Sequence, residues 1–524
     1  MMQQETETHQ VELCDLWSDR ASYKPGEAAT IHLLLKNTRE TPQTFALTAH
    51  LSWLNEKITE QRQQLEFATE VHEVKFVFAL PHESFRGYGI DVRVYRDDGT
   101  LCAQRSIGLD VLEHWTQAPR YGFLADFLPE CHDAITNVAA LARYHINIVQ
   151  FYDWMWRHYA LMPPEEVFRD GCGRIVSLQA VREKVAACRT QGMAALGYAA
   201  VYGAEPEYAL EHPDEMLYNE HGTPYSLGNL FYIMNIHQGN PWRPRILATM
   251  ADAVREVPFD GLHLDQYGFP RERVFGPAPN NIQYDLAEDF PPFIDDARTA
   301  IRQAVPDSCV IFNAVENWPI EAVAPTTQDS TYIEVWPPYE SYHDLQKLIL
   351  EARQLAPDKQ IILASYMKPL QGAEGDTLLQ AEAATLLASA TIWANGGFHL
   401  LMGERDAALC DPYYPSYATL RPAFAEILRR YYDFVVRYEN VLSDLKLVTL
   451  SHASNQWSVQ LPGRAMSTSG EANTIWTITR TMPELYTIAF INLSNATDAL
   501  WNACKSPASP LRDIAVEIQV EAKV

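Results

Sequence analysis

The sequence predicts a multidomain protein in which a central (β/α)8 barrel, or TIM barrel, is flanked by an N-terminal immunoglobulin-like β-sandwich and a C-terminal β-sandwich. Strand patterns fill residues 10–112, strand and helix patterns then alternate, and strand patterns return towards the C-terminus. A length of 524 residues also exceeds what one compact domain usually holds. The predicted domains are residues 1–115, 116–440 and 441–524.

The N-terminal sandwich is predicted because short alternating or apolar runs recur between turn signals. Three such runs are Ala29–Lys36, Glu73–Leu80 and Gly89–Tyr95. Residues 24–26 (Lys-Pro-Gly) and Asp98-Gly99 interrupt them, and an Asp-Gly pair is a strong hairpin signal. Short strands at this spacing are typical of immunoglobulin-like sandwiches.

Eight candidate strands alternate with helical patterns in the central region, as expected for a barrel of βα units. The strands are Tyr121–Ala125, Ile146–Phe151, Ala194–Ala200, Gly261–Asp265, Cys309–Asn313, Tyr332–Glu334, Gln360–Ser365 and Gly397–Leu401. Leu178–Cys188 and Gln380–Thr391 are helical patterns between them, and Leu420–Tyr438 is the predicted closing helix. No G-x-G-x-x-G motif or P-loop is present, which disfavours a doubly wound nucleotide-binding fold.

The C-terminal sandwich is predicted from strand patterns that follow the closing helix. These patterns are Lys446–Leu450, Asn473–Arg480 and Leu485–Leu493. They alternate or run apolar over lengths that suit short strands.

The net charge narrows the classes of partner. It is −26 at pH 7, which disfavours nucleic acid or an anionic membrane surface because both require a basic patch. A neutral polymer remains compatible with this charge. The oligomeric state is not predictable from these features.

The N-terminal segment and the cysteines predict a cytoplasmic protein. The first residues lack the basic and apolar regions of a secretory signal, and no apolar run reaches the about 18 residues of a membrane helix. The eight cysteines are scattered, without C-x-x-C pairs or zinc-finger spacing. We therefore expect reduced thiols, no cofactor and no catalytic metal. A trimmed secretion signal and a structural calcium ion remain open alternatives.

Two carboxylates at predicted strand ends are the strongest candidates for catalysis. Asp265 ends the strand within residues 258–268, and Glu334 ends the strand within residues 331–337. In a (β/α)8 barrel the loops after the strands form the active face. A carboxylate pair there suits glycoside hydrolysis, in which one group attacks or stabilises the anomeric carbon and the other transfers a proton. The alternatives are a helix-capping Asp265 and a strand-end salt bridge of Glu334.

The neighbours of Glu334 favour its role as a proton donor. Trp336 and Pro337 follow it closely, and poorly hydrated aromatic surroundings raise the pKa of a carboxyl group. For Asp265, neighbouring hydrogen-bond donors are expected to keep a nucleophile ionised.

Aromatic and polar residues accumulate at the other strand ends, for example in the segment Phe151–His158. Sugar rings stack their apolar faces on Trp and Tyr, while Asp, Asn and His bind hydroxyl groups. Single aromatic residues at such positions are often part of a core, so their common location is the informative feature. The predicted substrate-binding residues are Tyr152, Asp153, Tyr198, Tyr202, Tyr267, Asn313, Glu316, Trp336 and Glu404.

Four segments together resemble glycoside hydrolase family 66, which comprises endo-dextranases and cycloisomaltooligosaccharide glucanotransferases. They are residues 120–127 (RYGFLADF), 147–154 (NIVQFYDW), 259–268 (FDGLHLDQYG) and 332–336 (YIEVW). The resemblance runs through the predicted barrel, and the sandwich–barrel–sandwich order fits as well.

The resemblance implies a retaining enzyme that acts on α-1,6-linked glucan. It implies that Asp265 is the nucleophile and Glu334 the acid/base, and that Tyr152, Asp153 and Asn313 lie in substrate-cleft segments. We therefore predict hydrolysis of α-1,6-glucosidic linkages in dextran or isomaltooligosaccharides through a covalent glycosyl-enzyme. The alternatives are intramolecular transfer to form cyclic products and, with less support, a non-catalytic glycan-binding protein.

Two departures from the family bear on the substrate. The glucanotransferases carry a carbohydrate-binding module inserted in the barrel domain, and the sequence has no room for one, which favours hydrolysis. Family dextranases are mostly secreted, whereas no export signal is visible here. A cytoplasmic enzyme would meet imported isomaltooligosaccharides or their cyclic forms rather than the polymer.

Overall fold

A computed structural model describes residues 11–39, 41–68, 71–130, 134–412, 417–450 and 457–520. At its centre eight parallel strands follow one another in chain order, each paired with the next. They are β1 (Tyr121–Leu124), β2 (Ile148–Phe151), β3 (Ala194–Ala200), β4 (Gly261–Asp265), β5 (Cys309–Val315), β6 (Ser330–Glu334), β7 (Ile361–Ala364) and β8 (Phe398–His399). This arrangement confirms the predicted (β/α)8 barrel.

A helix follows each barrel strand. The helices are α1 (Ala134–Ala142), α2 (Leu178–Thr190), α3 (Trp242–Glu256), α4 (Leu286–Ala304), α5 (Ile320–Val323), α6 (Tyr342–Leu355), α7 (Gly375–Ala394) and α8 (Pro422–Arg437). Local sequence fixes several of their starts. At α6, Ser341 Oγ accepts a hydrogen bond from the Asp344 backbone N–H (3.1 Å), and the Asp344 carboxylate accepts one from the Ser341 backbone N–H (2.9 Å).

Alternation along the strands determines which side chains reach the barrel interior. In β4, Leu262 and Leu264 belong to the core between the strands and the helices, whereas His263 and Asp265 point inwards. His263 lies below Asp265 and accepts or donates a hydrogen bond with the Tyr121 hydroxyl (2.9 Å). Burial lowers the pKa of His263 to about 3, so this ring is neutral.

The N-terminal region forms two antiparallel sheets that pack face to face, which confirms the predicted sandwich. One sheet contains Val11–Ser18, Ala28–Asn37 and Val71–Ala79, and the other contains Glu56–Phe67, Gln43–Trp53, Arg86–Arg96 and Leu101–Val111. The turn at Asp98-Gly99 joins the last two strands, as predicted. Inward residues such as Ile31, Leu33 and Leu47 are fully buried between the sheets.

Helix α8 connects the barrel to the N-terminal sandwich. The Arg437 guanidinium donates to both carboxylate oxygens of Asp91, at 2.7 and 3.0 Å. The helix backbone passes so close to the sheet that a side chain at Gly108 would collide with the Asp433 carbonyl oxygen. A larger residue at position 108 is therefore incompatible with this packing.

After α8, the chain forms small sheets that confirm the predicted C-terminal β-region. Val448–Thr449, Met466–Ser467, Ile475–Met482 and Leu485–Asn492 form one sheet, and Trp457–Gln460 pairs with Glu517–Val520. The exact domain boundaries at residues 115 and 440 remain predictions.

Short elements in the βα loops build up the rim of the barrel. Strand pairs or small sheets follow β2 (Val167–Arg169, Ile175–Ser177), β3 (Gly203–Ala204, Ser226–Leu227, Phe231–Ile233), β4 (Val274–Phe275, Gln283–Tyr284) and β8 (Met402–Gly403, Ala407–Leu409, Tyr417–Thr419). The remaining short helices are Trp115–Gln117, Pro206–Ala209, Pro213–Glu215, Lys368–Leu370 and Glu439–Leu442. Most of these additions lie on the side where the barrel strands end.

The described thiols and helices bear on two further predictions. Seven cysteines are free thiols, as predicted, and the eighth, Cys131, lies outside the described residues. No helix in the described ranges is long and apolar enough to cross a membrane. The cytoplasmic location stays a prediction.

Candidate active site

A cleft of about 710 Å³ opens where the barrel strands end. Inward-facing side chains form its floor, and the βα loops form its walls. Both predicted catalytic carboxylates and seven of the nine predicted substrate-binding residues line it. These residues are Tyr152, Asp153, Tyr198, Asp265, Tyr267, Asn313, Glu316, Glu334 and Trp336.

One side-chain amide bridges the two carboxylates. Asn313 Nδ2, two residues before the end of β5, donates to Asp265 Oδ1 (2.7 Å) and to Glu334 Oε2 (3.0 Å). Strand β5 lies between β4 and β6, so the inward alternation places Asn313 between the two acidic residues. Because both oxygens accept from the same nitrogen atom, at 2.7 and 3.0 Å, they lie no more than about 5.7 Å apart.

Each carboxylate also accepts a hydrogen bond from a tyrosine. The Tyr198 hydroxyl donates to Asp265 Oδ2 (2.7 Å), and the Tyr366 hydroxyl donates to Glu334 Oε1 (3.0 Å). Both oxygens of both carboxylates are thus held by neutral donors. This arrangement fixes the orientation of the pair without placing a positive charge beside it.

Burial and mutual repulsion dominate the electrostatics of the pair. Burial and the charge of Glu334 raise the pKa of Asp265 to about 7, although Tyr198 and Asn313 act in the opposite direction. Burial also raises the pKa of Glu334, against the hydrogen bonds from Asn313 and Tyr366. Donors around Asp265 were predicted from the sequence, but they do not outweigh burial. The pair therefore holds one proton up to about neutral pH.

Ion pairs fix two polar side chains on the cleft walls. Arg174 donates to Asp153 Oδ2 (2.6 Å), and Arg271 donates to Glu316 Oε2 (2.7 Å). Burial raises the pKa of Asp153 even though Arg174 opposes the shift. Asp153, which follows β2, and Glu316, which follows β5, are thus held in place on the cleft walls.

The aromatic residues of the cleft surround the carboxylates. Tyr152 packs edge-on against Tyr198 (ring centroids 4.9 Å apart), and Trp336 lies tilted against Tyr366 (6.3 Å). The buried hydroxyl of Tyr267 lines the cleft and has no hydrogen-bond partner in the described structure. A side chain at Gly203 would collide with this hydroxyl, so glycine is required there. The cleft thus combines apolar faces with an unpaired polar group, which suits a sugar.

The positions of Tyr202 and Glu404 do not support their predicted role in substrate binding. Tyr202 is fully buried, and its hydroxyl donates to the Phe269 carbonyl oxygen (2.8 Å) and accepts from the Tyr267 backbone N–H (2.7 Å). Strand β3 ends at Ala200, and the chain then turns away from the cleft. The Tyr202 hydroxyl therefore binds the backbone of the loop after β4.

Glu404 does not line the cleft. Its Oε1 atom accepts hydrogen bonds from Lys184 Nζ (3.0 Å) and from the backbone N–H groups of Ala125 (3.3 Å) and Asp126 (3.1 Å). It therefore ties the end of β1 to α2. Glu404 does follow a barrel strand, as the sequence pattern indicated. Its carboxylate, however, accepts hydrogen bonds from buried backbone N–H groups.

Several cleft residues were not predicted from the sequence. Tyr366 lies two residues beyond the end of β7 and continues the inward alternation of Ile362 and Ala364, so strand periodicity could have identified it. Arg174 lies in the loop hairpin after β2 and has no such signal. His158 was noted only as the end of an aromatic segment. Its partner Glu205 is distant in sequence, and only the fold brings the two together.

The described residues contain no group of three or more His, Cys, Asp or Glu side chains arranged to hold a metal ion.

The chain matches the model of glycosyl hydrolase family 66 over residues 18–524. It belongs to this family. The family model extends over all three predicted domains, and the carboxylate pair lies within the matched region.

Relatives within family 66 are distant in sequence. A cycloisomaltooligosaccharide glucanotransferase from Niallia circulans is 23% identical over 97% of this chain and 66% of its own length. A dextranase from Streptococcus salivarius is 24% identical over 78% of this chain and 56% of its own length. This chain therefore spans less than two thirds of either relative.

A solved structure shows the same fold. The cycloisomaltooligosaccharide glucanotransferase of Paenibacillus sp., complexed with cycloisomaltoheptaose, superposes with a TM-score of 0.88 and 21% sequence identity. The superposition covers 98% of this chain and 93% of that chain. The barrel and the flanking β-domains are thus the architecture of a family 66 structure.

Proposed function

We propose that this chain is a retaining glycoside hydrolase that cleaves α-1,6-glucosidic linkages in dextran or isomaltooligosaccharides through a covalent glycosyl-enzyme. The observation that carries the proposal is the spacing of Asp265 and Glu334. Retaining enzymes place their two carboxyl groups about 5–5.5 Å apart, whereas inverting enzymes need about 6.5 Å or more to admit a water molecule. A spacing of no more than about 5.7 Å across the Asn313 amide supports retention. The linkage is inferred from family membership.

In the first step Asp265 is the nucleophile and Glu334 the general acid. An ionised Asp265 oxygen forms a bond to the anomeric carbon while the glycosidic C–O bond breaks. The proton of Glu334 passes to the leaving oxygen, which departs as a sugar hydroxyl. The product of this step is a β-linked glycosyl ester on Asp265 and an ionised Glu334.

In the second step Glu334 is the general base. Its carboxylate removes a proton from a water molecule, whose oxygen attacks the anomeric carbon. The bond to Asp265 breaks, and both carboxyl groups return to their initial states. Two inversions give net retention, so the first product formed is the α-anomer.

The hydrogen bonds distribute the shared proton in the way that this mechanism requires. Asp265 accepts two bonds of 2.7 Å, whereas both bonds to Glu334 are 3.0 Å long. Shorter bonds from neutral donors favour the ionised state. We therefore place the proton on Glu334 in the resting enzyme. Burial raises the pKa of Glu334, which favours the protonated state that a general acid needs.

Transfer to a sugar hydroxyl is the alternative outcome of the same intermediate. It is favoured by the names of the Niallia and Paenibacillus relatives, which are cycloisomaltooligosaccharide glucanotransferases. The alignment with the Niallia enzyme, however, spans 656 positions, more than this chain has residues. That enzyme therefore contains residues within the aligned region that have no counterpart here. This difference supports hydrolysis over cyclisation.

A non-catalytic glycan-binding protein is the remaining alternative. A binding site gains nothing from two buried, mutually repelling carboxyl groups, because each costs free energy when it is ionised. The intact pair therefore favours catalysis.

Mass spectrometry of the products formed from dextran and isomaltooligosaccharides tests the proposal. We expect linear products, because hydrolysis adds one water molecule for each bond that is cleaved. Asp265→Asn and Glu334→Gln should abolish the signal while remaining folded, which excludes a contaminating enzyme. Products lighter by one water molecule would indicate cyclisation. Binding without cleavage at high enzyme concentration would indicate a binding protein.

A further inference from the structure

A buried histidine–carboxylate pair lies in the wall of the cleft. His158 and Glu205 are only 6% and 3% exposed. His158 Nδ1 lies 2.9 Å from Glu205 Oε1, and the His158 backbone N–H also donates to Glu205, at 3.0 Å to Oε1 and 3.2 Å to Oε2. The carboxylate therefore fixes both the backbone position and the ring orientation of the histidine.

This orientation leaves the second ring nitrogen available. Burial opposes a charged imidazole, but the hydrogen bond and charge of Glu205 outweigh burial and raise the pKa of His158 above its usual value. In the charged imidazole both ring nitrogens are donors. Nε2 has no partner in the described structure, and it is not among the solvent-excluded polar atoms. A ligand in the cleft can therefore reach an N–H group at this position.

The imidazole lies close to the proposed nucleophile. Its ring packs between Phe231 (centroids 4.2 Å apart) and Tyr198 (6.3 Å), and the Tyr198 hydroxyl is the one that donates to Asp265. Tyr198 thus contacts both His158 and Asp265, and all three residues line the cleft. The ring hydroxyls of a sugar bonded to Asp265 would therefore lie in the cleft that His158 lines.

A buried ion pair in a cleft wall needs a reason beyond stability. Withdrawing both charges from water is unfavourable, and a well-packed apolar pair would serve the fold as well or better. Titratable pairs of this kind concentrate at functional sites. The Nε2–H group has no hydrogen-bond acceptor in the described structure, and a neutral, hydroxyl-rich ligand offers one.

We propose that His158 donates its Nε2–H to a hydroxyl of the glucosyl residue that Asp265 attacks, and that Glu205 is the positioning residue that holds His158 in this orientation. The assignment rests on the proposed function. It makes His158 a specificity-determining residue, because the enzyme then discriminates against a donor that lacks the hydroxyl.

Deoxygenated donors test the contact directly. We suggest α-isomaltosyl fluoride and its analogues deoxygenated at C2, C3 or C4 of the residue that carries the fluoride. With the parent donor, His158→Met should lower kcat/KM by about 10- to 150-fold, the range of one hydrogen bond to a charged group. With the analogue that lacks the partner hydroxyl, the same substitution should change kcat/KM less than about threefold. Comparing variant with wild type cancels the intrinsic reactivity of each donor.

Three further variants separate contact from structure. His158→Gln retains a side-chain N–H and should recover most of the lost kcat/KM. Glu205→Ala should lower kcat/KM with the parent donor but not with the analogue that lacks the partner hydroxyl. Adding His158→Met to Glu205→Ala should lower kcat/KM little further. His237→Met is the matched control, since His237 Nδ1 pairs with Asp289 (2.7 Å) outside the cleft and should leave kcat/KM unchanged.

The outcomes distinguish this assignment from the proposed function. If wild type is active but His158→Met loses the same factor on every donor, His158 is structural and the assignment is wrong. Because the glutamine keeps the N–H, His158→Gln should discriminate against the same deoxy donor as wild type does. If wild type rejects a deoxy donor that His158→Gln accepts, the assignment is also wrong. Wild type without activity on any α-1,6-linked substrate would overturn the proposed function, and the assignment with it.

Discussion

Asp265 and Glu334 share one hydrogen-bond donor, the side-chain amide of Asn313, which lies 2.7 Å from one carboxylate and 3.0 Å from the other. The amide sets the spacing of the pair and compensates part of its repulsion without adding charge. Its position follows from three adjacent parallel strands that each present an inward-facing residue at or near the end of the strand. The strand order of the barrel thus determines the geometry on which the proposed mechanism depends.

Replacing Asn313 should disturb both carboxylates at once. In Asn313→Ala each loses a hydrogen bond worth about 1.5–3 kcal/mol, so kcat/KM should fall about 100-fold or more. Asn317→Ala is a matched control, because the Asn317 amide donates to Glu351 (2.8 Å) outside the cleft. Steady-state kinetics on isomaltooligosaccharides, with circular dichroism as a folding control, would measure both. Near-normal turnover in Asn313→Ala would contradict a bridging role.

The pH dependence of kcat/KM should show a loss of activity on the alkaline side. As the pH rises through about 7, the apparent pKa of the coupled pair, Glu334 loses the proton that the pair still holds and no general acid remains. Tyr366→Phe removes a donor that favours ionised Glu334. The pKa of Glu334 should therefore rise, and the alkaline limb should move up by about 0.5–1 pH unit. Tyr218→Phe, whose hydroxyl donates to the Pro213 carbonyl oxygen, should leave the limb in place.

Asp265→Asn should stabilise the fold at alkaline pH while it abolishes activity. The pKa of Asp265 is raised in the folded state, so the free energy of unfolding falls as the pH rises from the unfolded pKa through about 7. Removing the buried charge should recover about 1–4 kcal/mol at pH 8 and little at pH 4. Denaturant unfolding at both pH values measures this difference. A variant that is less stable than wild type at pH 8 would contradict the raised pKa.

Glu404→Ala should act on stability and not on substrate binding. It leaves the buried Lys184 ammonium without its carboxylate, which destabilises a protein by about 3–5 kcal/mol. Well below the unfolding temperature, KM should remain within about threefold of wild type. The double variant Lys184→Met/Glu404→Leu should recover most of the lost stability. A large rise in KM without a loss of stability would restore Glu404 as a substrate-binding residue.

The barrel and its carboxylate pair were predictable because they depend on local patterns. Ala194–Ala200 and Gly261–Asp265 are short apolar runs with clear ends, and the structure places those strands at the predicted residues. Period-2 alternation then brings Asp265, Asn313 and Glu334 to the same end of the barrel. Adjacent strands that all end on polar residues were enough to locate the site.

The walls of the cleft were not predictable in the same way. Tyr198 and Tyr202 are both tyrosines near the end of one strand, but the turn after Ala200 sends Tyr202 into the loop core. His158 and Glu205 lie in different βα loops and pair only through the fold. Loop conformation depends on long-range packing, which sequence periodicity does not encode.

Trapping the covalent intermediate tests the central claim most directly. In Glu334→Gln, α-isomaltosyl fluoride can still react at Asp265, because fluoride leaves without a proton, but water is no longer activated. We predict that the intact enzyme gains the mass of one isomaltosyl group and that peptide mapping locates it on Asp265. The Asp265→Asn/Glu334→Gln double variant should show no such gain. A label on another residue, or release of the β-anomer without any adduct, would contradict a retaining mechanism with Asp265 as nucleophile.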